Sequence, residues 1–291
     1  MLSLLAASGG AADPIYWSDL GLSPYLFEIG GFQLRYYSLA YLLGVVFAYW
    51  HLSKMIKAPG APMAQRHADD LFFYCTLGVI IGGRLGYSIF YQPDLWSNPL
   101  DVLKLWEGGM SFHGGLIGVL IAIAWVSRGG NLSFLRVCDY IAVNVPMGML
   151  LGRLANFNNG ELWGRVSDVP WAMVFPRAGE VARHPSQLYQ AGLEGLALLI
   201  ILMLLFWKTR ARYRPGLLVG VFTLGMGLAR FINEFFREPD AQLADFAART
   251  GLSMGQWLTI PLILIGLIVT IYAVTRKPVG TGAASAAANP A

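Results

Sequence analysis

Seven apolar stretches, roughly residues 36–54, 70–91, 110–127, 136–153, 187–207, 215–236 and 256–275, leave this chain few ways to fold. A helix rises 1.5 Å per residue, so about 20 mainly apolar residues cross a hydrocarbon layer roughly 30 Å thick. Composition agrees. Of the 291 residues, 56% are hydrophobic and 13% are charged, and the mean hydropathy is +0.53, a balance that a solvated surface does not tolerate. The pattern predicts an all-α integral membrane protein with about seven transmembrane helices and an exterior polar segment between the fourth and fifth.

The ends read differently from the middle. Residues 1–35 form a polar and aromatic lead-in, and the short apolar run at 2–7 lacks the basic flank of a secretory signal. They are read as an exterior N-terminal segment, followed by a membrane domain at 36–277 that includes the exterior segment 154–186. Residues 278–291 are rich in Ala, Gly and Pro and have nothing to bury, so a disordered cytoplasmic tail is expected. With seven crossings, Lys54, Lys57, Arg66, Arg128, Arg136, Lys208, Arg210, Arg212, Arg214, Arg276 and Lys277 fall on one side, which makes that side cytoplasmic. Arg84, Arg153 and Arg230 lie inside apolar stretches and carry no weight in that assignment.

Several chemistries find no support. Cys75 and Cys138 fall in apolar stretches without metal-ligand spacing and read as small packing residues, and the four histidines are scattered. There is no phosphate loop, dinucleotide fingerprint or HExxH motif, so neither a metal nor an organic cofactor is expected, and nothing points to nucleic acid. The 34 glycines suit close helix contacts: Gly82, Gly83 and Gly86 bracket Arg84, while Gly114, Gly115 and Gly118 follow His113.

Ionisable residues within the apolar stretches need a reason. A charge at mid-bilayer costs about 2.5 to 3.5 kcal/mol even on the most lenient scale, so Arg84, Arg153, Glu194, Arg230 and Glu234 must face partners or a wet cavity. Arg230, Glu234 and Arg237 stand at i, i+4 and i+7 and share one helix face. Such a stripe serves either helix pairing or a ligand. The run 152–165 joins an apolar helix to the outer surface and gathers Arg153, Asn156, Asn158, Asn159, Glu161 and Arg165. Taken alone it is either a capped helix end with a snorkelling arginine or a phosphate cradle, since the arginine fork donates paired hydrogen bonds to phosphate oxygens.

Six ordered motifs decide between these readings. They are Tyr36-Tyr37, Gly82-Gly83-Arg84-Leu85-Gly86-Tyr87, Gly108-Gly109-Met110-Ser111-Phe112-His113-Gly114-Gly115, the run 152–165, Arg183-His184-Pro185-Ser186-Gln187-Leu188-Tyr189, and the run 230–240. In these runs, and over about residues 36–277, the chain resembles the prolipoprotein diacylglyceryl transferase family of bacterial inner membranes. The resemblance implies a multi-pass enzyme of the cytoplasmic membrane with its active site toward the periplasmic face. It implies transfer of the diacylglyceryl group of phosphatidylglycerol to the lipobox cysteine of prolipoproteins, with release of glycerol phosphate and no cofactor. Motif by motif it implies catalytic roles for His113, Tyr37, Arg230 and Glu234, and lipid binding by Arg153, Asn156, Glu161 and Gly164. Arg84, His184 and Arg237 form a second tier. Met226, four residues before Arg230, departs from the family pattern, which has tyrosine there.

Residue chemistry leads to a compatible assignment. Alkylating a thiol requires the thiolate, hence a base or a positive field. A neutral imidazole accepts a proton, and His113 is the histidine in a motif near an outer helix end. A departing phosphate gains negative charge, which fixed guanidiniums at Arg153 and Arg230 are suited to stabilise. Glu161 and Glu234 would hold those arginines, Asn156 and Tyr37 would add neutral hydrogen bonds, and Gly164 would permit close backbone approach. His184, before Pro185 at a helix entry, reads equally as a capping or packing residue. Two other classes compete: a secondary transporter of an anionic solute, and a noncatalytic lipid-binding or assembly protein. An odd number of spans, no visible inverted repeat and polar motifs gathered toward one face count against transport.

Overall fold

The computed structural model describes residues 14–30, 32–238 and 249–279. Residues 1–13, 31, 239–248 and 280–291 lie outside it, and with them Asp240 and most of the tail expected to be disordered. One described tail residue does have a place, for the Val279 amide donates to the Tyr213 carbonyl at 2.7 Å.

Short strands come first, β1 at Ile15–Tyr16 and a hairpin of β2 (Tyr25–Ile29) with β3 (Phe32–Arg35). Helices follow: α1 at Tyr36–Met55, α2 at Gln65–Phe90, α3 at Phe112–Gly129, α4 at Phe134–Ala142 and α5 at Val145–Asn158. After strands β4 (Met173–Val174) and β5 (Ala182–Arg183) come α6 at Ser186–Gln190, a π-helical stretch at Ala191–Ala197, α7 at Leu198–Lys208, α8 at Leu217–Asn233 and α9 at Met254–Thr275. Five helical units are long and apolar enough to cross a membrane: α2, α3, the joined pair α4 and α5, the continuous run from α6 through α7, and α9. Helix α8 is apolar but has only 17 residues. The stretch read as 136–153 bends at Val143–Asn144 because Pro146, which has no amide hydrogen to donate, opens the first turn of α5.

The helices are drawn together by missing side chains. Where α2 meets α3, a Cβ on Gly82 would lie 2.3 Å from the Gly114 carbonyl oxygen, and one on Gly118 would lie 2.0 Å from that of Gly78. Between lipid-soluble helices such backbone contact supplies the association that the hydrophobic effect supplies in water. Helices α8 and α9 meet the same way, for a Cβ on Gly266 would lie 2.3 Å from the Leu224 amide nitrogen.

The bundle has two dissimilar ends. At the end holding the α1 C-terminus and the α2 N-terminus, a dry core packs Leu52, Met55, Leu71, Val137, Tyr140, Leu202, Phe206 and Leu218. Some of its polar groups are paired, while Tyr140 Oη has no hydrogen-bond partner among the described residues. Trp207 Nε1 donates to His51 Nε2 at 3.0 Å, which leaves the His51 proton on Nδ1, 2.7 Å from Asn144 Oδ1. The Asp139 carboxylate accepts from the Gly216 and Val219 amides at 2.7 and 2.8 Å, capping α8 from a neighbouring helix. The other end is covered by polar chain. Strand β4 pairs with β1 in parallel and with β5 antiparallel, Trp17 Nε1 donates to the Phe157 carbonyl at 2.8 Å, and Asn158 donates to the carbonyl of Ser23.

Gly82→Ala is expected to force α2 from α3 and cost about 1 to 3 kcal/mol, as overpacked sites do. Gly148→Ala meets nothing within 4 Å and is expected to leave the thermal midpoint in detergent unchanged. Equal midpoints for the two variants would contradict the packing assigned to the glycine seam.

Candidate active site

Charges from three helical elements converge at the polar end. Arg153 comes from α5, Glu194 from the π-helical stretch, and Arg230, Glu234 and Arg237 from the end of α8 and the turn beyond it. Arg153 Nη2 is 3.5 Å from Glu194 Oε2. Glu234 Oε1 pairs with Arg230 at 2.9 Å and with Arg237 at 3.3 Å, while its Oε2 accepts from Ser253 Oγ at 3.0 Å. The i, i+4, i+7 spacing therefore does produce one charged stripe, and α9 clamps it: Gly255 leaves room for the Glu234 carboxylate, whose carbon would be 2.5 Å from any Cβ there. Glu234 and Glu194 are buried, whereas the side chains of Arg153 and Arg230 stay 23% and 22% exposed, so each guanidinium remains open to an incoming group.

The run after α5 folds back beneath these charges. Gly160 and Leu162 both adopt positive φ, at 61° and 59°, which reverses the chain. Glu161 Oε1 then accepts from Asn156 and Asn159 at 2.9 and 3.1 Å, and its carbonyl accepts from Gln187 Nε2 at 2.6 Å. Tyr37, at the start of α1, lies within electrostatic reach of both Glu161 and Arg153 and packs edge-on against Tyr41. The structure thus brings Tyr37, Arg153, Asn156, Glu161, Arg230, Glu234 and Arg237 to one locality. Gly164 makes its close approach to the chain itself: its amide donates to the His184 carbonyl at 2.8 Å, and a Cβ would sit 2.3 Å from the Phe236 oxygen.

Three sequence-identified residues stand in other surroundings. His184 Nδ1 is 3.1 Å from Tyr189 Oη, and its ring meets Phe236 edge-on at 5.2 Å. It lines an open apolar cavity of about 400 Å³ with Trp171, Tyr189 and Phe236, and burial holds its pKa below the ordinary histidine value, against a smaller opposing pull from Asp168. Arg84 is buried, and its guanidinium donates to the carbonyls of Val102 (2.7 Å), Asp101 (2.9 Å), Lys104 (3.1 Å), Gly109 (3.3 Å) and Gly108. A guanidinium has five N–H groups, so none is left for a ligand. Arg84 instead organises the loop that leads into α3, where Ser111 caps the helix by accepting the Gly114 amide at 3.2 Å. His113 follows in the first turn, exposed, edge-on to Phe112 and without a hydrogen bond among the described residues. Met226 packs against the apolar core.

Sequence reasoning gave no site role to Glu194, Gln187 or Ser253. Glu194 carried a signal, as a lone acid in an apolar stretch, but only the fold shows which arginine it faces.

Comparison with known proteins identifies the family. The family model for prolipoprotein diacylglyceryl transferase matches residues 24–272. The chain belongs to that family. It is 69% identical over 272 residues to the phosphatidylglycerol–prolipoprotein diacylglyceryl transferase of Erythrobacter litoralis, covering 93% of this chain and 96% of that one. The enzymes of the same name from Zymomonas mobilis and Rhodospirillum rubrum are 51% and 48% identical, over 90% and 88% of this chain and 95% and 94% of theirs. The chain is therefore a transferase of lipoprotein biosynthesis, and the transport reading finds no support in these relatives.

Replacing Arg84 with lysine leaves at most three donors for five carbonyls. Arg84→Lys is expected to speed amide hydrogen exchange over residues 98–111 by about tenfold or more, given roughly 1.5 kcal/mol or more for each charged hydrogen bond lost. Unchanged exchange there would show that the loop is held by something else.

Proposed function

We propose that this chain moves the diacylglyceryl group of phosphatidylglycerol onto the thiol of the lipobox cysteine of prolipoproteins. The observation that carries the reading is a pair of partly exposed guanidiniums, Arg153 and Arg230, each tethered along one edge by a buried carboxylate at 3.5 and 2.9 Å. Preorganised positive charge of this kind stabilises an oxygen that becomes more negative in the transition state. The names of the relatives support the two substrates.

The transfer balances as a substitution at carbon. The thiol proton passes to a base, the sulfur attacks the glyceryl carbon, and a carbon–sulfur bond replaces the carbon–oxygen bond to phosphate. The electron pair of the broken bond leaves on the phosphate oxygen, so glycerol phosphate departs with one more negative charge and the thiol proton accounts for the difference. Arg153 and Arg230 receive that charge, with Glu234 orienting Arg230 and Arg237. Glu161, Asn156 and Tyr37 form the adjoining polar wall, and Gly164 lets the 160–165 turn lie against the Phe236 carbonyl. His113 is the base in this scheme. It is exposed in the first turn of α3, and Arg84 acts on it through the loop that leads into that helix. His184 shapes the apolar cavity beside the cluster.

The same reading makes the protein span the cytoplasmic membrane seven times, with α1 and α8 as the two further crossings. The N-terminal segment, residues 154–186 and the charge cluster then face the periplasm, supported by the basic residues gathered at the opposite end. A membrane-impermeant maleimide is expected to label Ser18→Cys in intact spheroplasts in a Cys75→Ala, Cys138→Ala background, and protection of that site would reverse the orientation.

Purified protein given labelled phosphatidylglycerol and a lipobox peptide is expected to yield a thioether lipopeptide and glycerol phosphate. Arg153→Lys should lose far more turnover than Arg165→Lys, because a fork over phosphate depends on its planar shape, whereas the exposed Arg165 side chain donates to the Arg237 carbonyl. His113→Ala should fall by about 10² to 10⁴, and its deficit should shrink as pH rises through the thiol pKa near 8.5, roughly the value for free cysteine. No lipopeptide at all would sink the reading, and a deficit equal at pH 6 and pH 9 would remove His113 as the base.

A further inference from the structure

The buried acids of this protein differ in how they are satisfied. Asp139 accepts two backbone amides and Glu234 accepts a serine hydroxyl besides its arginines. Glu194 is fully enclosed, and beyond its 3.5 Å ion pair with Arg153 neither carboxylate oxygen has a hydrogen-bond partner among the described residues. A carboxylate stripped of water without hydrogen bonds in return is costly to the fold. Packing has nevertheless brought it to this spot. The neighbouring Gly195 lies so close to α5 that a Cβ would be 2.7 Å from Leu150 Cα, and Arg153 stands one helical turn beyond Leu150 on the same face. Glu194 is also within electrostatic reach of Arg230 and Glu234. Among the described residues it is thus the acid that touches the α5 arginine and also senses the α8 stripe.

We infer that Glu194 is a positioning residue for the transfer reaction, fixing the Arg153 guanidinium by one edge and setting its spacing from Arg230, so that the open donors of both meet the phosphate together. This rests on the transferase reading above. The sign of its charge separates this role from direct lipid binding. A carboxylate repels an anionic headgroup, so removing it leaves attraction for the lipid intact or stronger. What is lost is the orientation of Arg153, which matters most when charge develops on the departing oxygen.

Glu194→Gln keeps the size and removes the charge. Measured on folded enzyme well below its thermal transition, the variant is expected to show kcat lowered about 10²-fold, the usual scale for a misplaced catalytic group, with KM for phosphatidylglycerol unchanged or lower. Glu194→Asp, which keeps the charge on a shorter arm, should fall between the variant and the parent. A parental kcat in Glu194→Gln, or a KM that rises as much as kcat falls, would overturn the inference. Should the glutamine variant not fold, the aspartate variant decides by the same split: kcat reduced at constant KM supports the role, and parental kcat removes it. A parent enzyme that makes no lipopeptide would instead count against the transferase reading.

Discussion

Everything at the polar end of this bundle depends on how three arginines are held among apolar helices. A lone guanidinium in hydrocarbon is too costly to persist, and a fully neutralised one is of little use to an anionic substrate. Here two buried carboxylates, Glu194 and Glu234, serve Arg153, Arg230 and Arg237. Each acid lies deeper than the arginines it serves. The guanidiniums are anchored from within and remain partly open on the side where a headgroup would arrive.

The rest of the architecture keeps that arrangement in register. Glycine seams between α2 and α3 and between α8 and α9 bring backbones into contact, so that a displacement of one helix is felt by its partner. At the far end a dry core, the His51–Asn144–Trp207 hydrogen bonds and the Asp139 cap on α8 fix the helices where nothing has to open. Polarity and exposure are thereby concentrated at one end, where the 156–165 turn, the N-terminal strands and the α8 terminus meet.

Much of this was legible in the residues. The apolar stretches marked the helices, since backbone satisfaction in lipid leaves little alternative, and the spacing of Arg230, Glu234 and Arg237 foretold a shared stripe. The family motifs named most of the polar cluster. What the sequence did not reveal depends on long-range packing. Arg84 looked like one more intramembrane charge, yet all its donors are spent on a single loop. Gly164 was expected to approach a substrate, and it approaches the Phe236 carbonyl. Glu194 had no local motif to mark it, because its partner lies on another helix and their contact depends on a glycine next door. The interruption before Pro146 had a local cause in the proline, whereas the π-helical stretch at Ala191–Ala197 had no marker in the sequence.

The central claim is that the arginines tethered by Glu194 and Glu234 receive the lipid phosphate. The most direct measurement is a cryo-electron microscopy structure of the full chain in nanodiscs containing phosphatidylglycerol. The account predicts headgroup density with phosphate oxygens at about 2.7 to 2.9 Å from guanidinium nitrogens of both Arg153 and Arg230, the range of charge-assisted hydrogen bonds. A phosphate seated instead among the basic residues of the opposite end, with the Arg153 and Arg230 forks closed onto protein groups, would contradict it.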